Sequence, residues 1–306
     1  MSKLSENTES INSQSSQTEF RFIDGRRFHN AKEVIYALPN DEEESDRLRL
    51  QHFLIRYIWQ SNFSAPIEHI LSKPGSKILD VGCGAASWSF DMATSYPSTN
   101  IIGLDISPLQ PTQTEPKNFT FVKANIFEGL PFDDNTFDFV FQRYLVTGYP
   151  KEKWPYVLNE LVRVLKPGGF LELCEFSLPI DSGPIGQRLW NSGGAKILEE
   201  RGVDWDTYEK LEEYAQNQGQ LENIKKEVKQ CYHGAKSNNI ELSKVAINNA
   251  ITGYESFKPT FSKVIKIPDD EYDELMKSLK DELFEFDTYY HIVRVYARKI
   301  NNNDNN

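Results

Sequence analysis

The chain of 306 residues sets 34 basic side chains against 45 acidic ones, a net charge of −11, with 39% hydrophobic and 26% charged residues. That apolar share is enough for a real core, and no apolar run approaches the ~18 residues a membrane-spanning helix needs. A uniformly negative field repels phosphate backbones, which disfavours direct nucleic-acid binding. Cys83, Cys174 and Cys231 lie far apart, with neither paired metal-ligand spacing nor a disulfide framework, so no metal is expected and a reducing interior is.

Residues 1–19 are Ser, Gln, Asn, Thr and Glu around an isolated Leu4 and Ile11. They cannot bury enough apolar area to offset their ordering entropy and read as a disordered tail, as does the 301–306 stretch. The opening residues also lack the apolar core of a secretory signal. A helix is expected over 42–61. Glu42, Glu43 and Glu44 suit the positive end of its dipole, and Leu48, His52, Ile55 and Trp59 recur at helical spacing.

From Lys77 the pattern becomes strand–helix alternation. KILDV (77–81) reads as a strand, 85–96 as a helix closed by Pro97, and NIIGLD (100–105) and FTFVKAN (119–125) as the next strands. FDFVFQ (137–142) is a fourth strand. Trp154, Val157, Leu158, Leu161, Val162 and Leu165 then trace a helical stripe ended by the KPGG turn at 166–169, and FLELCEF (170–176) is a fifth strand. Near-continuous apolar strands between helices predict an α/β fold, a doubly wound, mostly parallel sheet covered on both faces. Beyond Pro179, residues 185–232 read as helical and acidic, capping the ligand-binding edge. FSKVIKI (261–267) reads as a strand, Asp269–Phe286 as a helix and YYHIVRVYARK (289–299) as the closing strand.

The most informative stretch is ILDVGCGAASW (78–88), a strand, an acid, Gly-x-Gly and a helix start. Glycines permit positive φ and close ligand approach, and the helix N-terminus offers free N–H groups. A purely structural turn has the same pattern, so two carboxylates must decide. Asp105 ends the next strand, where an acid can take both hydroxyls of a ribose. Asp80 lies just ahead of the glycines. At ~5–6 Å and an effective dielectric near 20, it would oppose each unit of pyrophosphate charge by roughly 3 kcal/mol. A ligand bearing an ammonium or sulfonium reverses that sign. S-adenosylmethionine has a ribose, an adenine, a carboxylate and two cationic centres but no phosphate, and it fits better than a nicotinamide dinucleotide. Ser87 in place of a third dinucleotide-type glycine agrees.

ILDVGCGAASWSFDMA, IIGLDISPLQP, LPFDDNTFDFVFQRYLV and RVLKPGGFLELCEF together resemble a class I S-adenosylmethionine-dependent methyltransferase, a Rossmann-like seven-stranded fold. YALPNDEEESDRLRLQH (36–52) and the terminal YYHIVRVYARK are similar to the fungal group that includes velvet-associated regulators of secondary metabolism. The resemblance covers roughly 34–180 and 289–299. It implies that Asp80, Gly82, Cys83 and Gly84 wrap the methionine part of the cofactor. It places Asp105 at the ribose, with Ile106 beside the adenine. Asn125 falls where the family usually has an Asp bonding the adenine amine, with Ile126 packed on the ring. Gln142 falls on the sulfur side, and Tyr36 with the 42–59 helix forms part of a lid. Ala86 stands where the group usually has a further glycine, which requires negative φ there.

The resulting organisation is a tail (1–19), an N-terminal helical lid (20–65), a cofactor-binding core (66–180), a helical cap (181–260), closing strands and helix (261–300) and a second tail (301–306). Arg143 and Tyr144, just past the fourth strand, are the candidate acceptor-side residues. Arg143 could clamp a carboxylate through paired hydrogen bonds or pair with an acid such as Glu175. Cys83 reads as a small turn residue. Cys174, Trp88 and Trp154 read as core, and His52 and His291 as hydrogen-bonded structural histidines. The Asn/Asp-Pro-Pro-aromatic turn of amine- and amide-directed enzymes is absent from FQRY. The expected function is methyl transfer from S-adenosylmethionine to a small-molecule acceptor, a carboxylate included, or to a protein. The alternative is a cofactor-binding regulator acting through complex formation in transcriptional control. The cytosol is the default compartment, and a nuclear role follows only from the resemblance.

Overall fold

The computed structural model describes residues 20–29, 38–109, 115–234 and 236–301, the side chains of 191 and 192 excepted. Tyr36, residues 1–19 and residues 302–306 lie outside that set. Two short strands, β1 (Phe20–Ile23) and β2 (Arg26–His29), form an antiparallel hairpin. Helix α1 (Glu42–Trp59) follows, begun where Asp41 accepts the Glu44 N–H. The expected helical lid over 20–65 is therefore corrected to a hairpin followed by a helix.

The main sheet uses β3 (Lys77–Val81), β4 (Asn100–Asp105), β5 (Phe119–Lys123), β6 (Phe137–Arg143), β7 (Leu165–Phe176), β8 (Leu221–Tyr232) and β9 (Tyr289–Lys299). Their spatial order is β5-β4-β3-β6-β7-β9-β8, parallel from β5 to β7, with β9 antiparallel to both its neighbours. The seven-stranded, mostly parallel, doubly wound sheet is as expected. The chain reverses direction across the sheet between β3 and β6, so their carboxyl ends frame a crevice.

Side-chain alternation makes the two layers. On β3, Ile78 joins Ile101, Phe139, Phe141, Trp88, Met92 and Ile55 on one face, whereas Leu79 joins Val140 and Leu171 on the other. The first face is covered by α1, the short α2 (Glu68–Leu71) and α3 (Ser87–Ser95), the second by α4 (Trp154–Val164) and α7 (Thr207–Gln218). Trp88 stacks on Phe141 at 4.1 Å, and Trp154 is fully buried. The KPGG stretch falls inside β7, whose register against β6 shifts between Phe137 and Phe139, as an irregular strand start rather than a separate loop.

Two assignments differ. FSKVIKI belongs to helix α9 (Lys258–Ile265), started by Pro259 and burying Phe261. Its alternation and its i, i+4 pair Phe261/Ile265 satisfy both periods, and proline in the first turn decides for helix. The sixth strand is instead β8, inside the expected helical cap. It is an edge strand whose exposed side chains include Lys225, Lys226 and Glu227, the charged composition that protects an edge from aggregation and hides a strand from hydrophobic patterning. The remaining cap comprises α5 (Pro184–Leu189), a π turn (Trp190–Gly194), α6 (Ala195–Glu200), α8 (Ile240–Ser256) and α10 (Asp269–Glu285). Its own core joins Leu189, Tyr254, Phe261, Tyr272, Met276 and Leu279. No helix among the described residues is long and apolar enough to cross a membrane.

Candidate active site

The crevice at the ends of β3, β4 and β6 encloses about 1240 Å³, its open mouth included. The turn after β3 forms its floor. The backbone N–H groups of Gly82 and Cys83 both donate to the Leu104 carbonyl, at 2.7 and 3.1 Å, which binds the turn to β4. Gly82 has φ +69°, a conformation that favours glycine, and a Cβ there would fall 2.6 Å from Leu145 Cδ1 and force that side chain to shift. Gly84 has φ +52°. Ala86 takes φ +56° as it enters α3, contrary to the negative φ expected for it. Its buried methyl packs with the α3 face of the core, which helps to hold an otherwise unfavourable conformation.

Asp105 closes β4 with one carboxylate oxygen on the glycine turn and the other on the loop that follows β4. Oδ2 accepts the Gly84 N–H at 2.9 Å and Oδ1 the Ser107 N–H at 3.1 Å. Each oxygen keeps a lone pair for a ligand hydroxyl. Burial raises its pKa, and those N–H bonds oppose the rise. Asp80 is buried and accepts the Ser89 hydroxyl at 2.6 Å. Burial lifts it to about 6, against the pull of Ser89 and of the Arg143 charge. Burial pushes the Cys83 thiol far above its usual range, so no thiolate nucleophile is available in the turn.

Arg143 does not pair with Glu175. The buried Glu175 carboxylate instead accepts the N–H groups of Leu145 and Val146, at 2.9 and 3.2 Å, and shapes the loop after β6. The Arg143 guanidinium lies 3.4 Å from His52 Nδ1, and His52 Nε2 lies 3.1 Å from Asp91 Oδ2. A guanidinium can only donate, so Nδ1 holds the lone pair and Nε2–H donates to Asp91. Burial lowers His52 to about 4, which keeps it neutral beside the cation. Thus α1 and α3 orient an arginine that balances part of the charge of Asp80.

Asn125, Ile126 and Phe127, on the side where the adenine is expected, line the crevice. Asn125 Oδ1 accepts the Phe127 N–H at 3.1 Å and caps a short 3₁₀ turn, so the amide leaves its N–H₂ as well as a remaining lone pair for a ring edge. Ile106 lies beside Asp105 in the same wall. Gln142 is a departure. It is fully buried, one residue short of the end of β6, with Oε1 accepting from the Tyr149 hydroxyl, and it is not among the residues lining the crevice. Tyr144, with φ +60°, and Leu145 line the crevice instead.

Residue-by-residue reading missed Asn40. Its Nδ2 donates to Ser107 Oγ at 2.6 Å, and its carbonyl and Oδ1 accept from Arg27, so hairpin, lid segment and β4 are tied together. Its only sequence signal was its place in the YALPN stretch. Among the described residues no cluster of His, Cys, Asp or Glu could hold a metal ion.

The crevice suits an adenosyl group carrying positive charge. It has a doubly anchored carboxylate at the β4 end, a wall that includes Ile106 and Ile126, a second carboxylate at the β3 end and, among the described residues that line it, one cation, Arg143. Residues 78–169 match a family described as a methyltransferase domain. The chain is 35% identical over 163 residues to the methyltransferase pytC of Aspergillus terreus, 53% of this chain and 48% of that protein. It is 30% identical over 165 residues to the protein-methionine methyltransferase laeA of Emericella nidulans, 53% of this chain and 42% of that protein. It is 34% identical over 155 residues to the N-methyltransferase verN of Clonostachys rogersoniana, 49% of this chain and 53% of that protein. The chain thus spans about half the length of these relatives. A solved phosphoethanolamine N-methyltransferase of Haemonchus contortus superposes with a TM-score of 0.49 at 19% identity, over 90% of this chain and 62% of that one.

Proposed function

We propose that this chain, which carries a methyltransferase domain over residues 78–169, transfers a methyl group from S-adenosylmethionine to an acceptor bound under its cap. The observation that carries the reading is Asp105 at the carboxyl end of β4, its two oxygens fixed by the Gly84 and Ser107 N–H groups and each able to accept a ribose hydroxyl. When bound, the cofactor supplies an electrophilic methyl group on a sulfonium, so the protein's task is alignment. Fixing two reactants in line contributes up to ~7–11 kcal/mol in ideal cases.

Asp105 holds the ribose and Ile106 packs beside the adenine. Asn125 and Ile126 hold the adenine, and the Gly82–Gly84 turn admits the amino-acid part close to the backbone. Asp80 neutralises the ammonium, and Arg143, oriented by His52, takes the carboxylate end or an anionic acceptor. The cap closes the crevice against water. Relatives acting on small molecules and one named for protein methionine leave both acceptor classes within this proposal.

The test is calorimetric titration with S-adenosylhomocysteine. Asp105→Ala is expected to weaken binding by about one to two orders of magnitude, the worth of charge-assisted hydrogen bonds at roughly 1.5–3 kcal/mol. Unchanged affinity removes Asp105 from this role. Relatives named as regulators of secondary metabolism support a second reading, regulation through complex formation. Radiolabelled methyl transfer into a cell extract, lost in Gly82→Arg, favours the enzyme over that reading.

A further inference from the structure

A second cavity of about 1270 Å³, its mouth included, lies under the cap and shares Leu48, Gln51 and Tyr144 with the crevice. Its walls are aromatic. Phe176 sits 4.4 Å from the Tyr144 ring and 5.6 Å from Trp205, and Trp205 sits 5.6 Å from Trp190. Most polar atoms of this wall are spent within the protein. Trp190 Nε1 donates to the Tyr254 hydroxyl, Tyr254 O accepts from Tyr272, Asn249 donates to the Arg47 carbonyl, and Arg47 is paired with Glu44.

Three buried side-chain atoms on this wall are not spent, the Tyr144 hydroxyl among them. His233 is 2% exposed. Its Nδ1 lies 3.2 Å from the Thr288 carbonyl, which also accepts the His233 backbone N–H at 2.8 Å. A carbonyl only accepts, so Nδ1 carries the proton and Nε2 is left as a lone-pair acceptor. His233 Nε2 is without a partner, and so is Trp205 Nε1, which can only donate. Burial lowers His233 to about 4, so the ring stays neutral at physiological pH. Unsatisfied buried polar atoms are uncommon in folded proteins, and each calls for an explanation. Here the His233 acceptor, the Trp205 donor and the Tyr144 hydroxyl stand on a largely aromatic wall, which also holds Arg47, Gln51, Arg201 and Asn249, beside the candidate cofactor crevice.

We infer that this cavity binds a planar aromatic small-molecule acceptor, with His233 Nε2 accepting a hydrogen bond from its hydroxyl or N–H and Trp205 Nε1 donating to an acceptor oxygen such as a carbonyl. The inference rests on the methyl-transfer reading for the ligand's role, but the binding itself is independent of it.

The experiment measures binding of 7-hydroxycoumarin and 7-methylcoumarin, equal in size but with one lacking the donor, to protein saturated with S-adenosylhomocysteine. Wild type should bind the hydroxyl compound about tenfold or more tightly than the methyl compound. His233→Asn keeps a side-chain N–H near the Thr288 carbonyl and removes the outer acceptor. It should abolish the preference with cofactor affinity unchanged, and His233→Gln, whose amide oxygen reaches the outer position, should restore part of it. Discrimination that persists in His233→Asn overturns the role of His233. A wild type that binds cofactor but neither coumarin overturns the aromatic class, leaving a peptide as the occupant to test. Coumarin binding with the expected preference in a protein that binds no S-adenosylhomocysteine upholds the cavity and sinks the methyl-transfer reading instead.

Discussion

Asp80 and His52 titrate in opposite senses around one guanidinium. Burial raises the acid to about 6 and lowers the imidazole to about 4, so above pH 6 the site holds a carboxylate, a neutral histidine and Arg143. Asp80 carries its charge above about pH 6 and loses it as the pH falls below. Affinity for S-adenosylhomocysteine, whose ammonium keeps its charge, should therefore drop roughly tenfold between pH 7.5 and pH 5. Asp80→Asn should bind more weakly at pH 7.5 and show little pH dependence, as titration calorimetry at the two values will show; an equal decline in the variant would remove Asp80 from the ammonium. Among single residues, Asp80, Gly82, Gly84 and Asp105 were legible because spacing along two strands fixes them at strand ends. Gln142 was not, because one step along a strand turns a side chain to the other face. His233 was not either: nothing in CYHGA distinguishes a histidine with one spent nitrogen from a surface one.

Elements carry their own constraints. Asp41 ends the lid segment, caps α1 through the Glu44 N–H and grips Arg26 of β2 through two oxygens, at 2.6 and 2.9 Å. Asp41→Ala should cost about 1–2 kcal/mol from the cap, with up to ~1 kcal/mol more from an ion pair whose side chains are each 20% exposed. Equilibrium urea unfolding reads that loss, and a change within ~0.3 kcal/mol would show that hairpin and helix hold together without it. The 42–59 helix was legible from its acidic first turn and apolar stripe. Strand β8 was not, since an edge strand buries few side chains and replaces apolar alternation with lysines and glutamates. Helix α9 read as a strand because seven residues cannot separate the two periods.

At the scale of the whole molecule, one buried ion pair joins the sheet to the loop after α1. Glu172 of β7 and Arg294 of β9 are both essentially unexposed and lie 3.5 Å apart. Glu172 also accepts the N–H groups of Ser64 and Ala65 at 2.7 and 2.8 Å, and the Arg294 guanidinium lies 4.3 Å over the Trp59 ring. Removing one partner strands a buried charge, which costs about 3–5 kcal/mol. Glu172→Gln should lower the unfolding free energy by that order in guanidinium melts. A loss below 1 kcal/mol would mean that water reaches the pair.

By itself the sequence determined the parallel core and the glycine turn that lines the crevice, because both are local: strand periodicity, glycine freedom and carboxylates at strand ends need only their neighbours along the chain. Only the tertiary structure decided which strand closes the sheet's edge, which way Gln142 faces, that His52 orients Arg143, and that His233 and Trp205 face one aromatic cavity. Each of those depends on what packs against a side chain from elsewhere in the chain. Pairing, burial and loss of water are properties of the contact, and a cavity lined by residues as distant as 144, 205 and 233 exists only once the fold has formed.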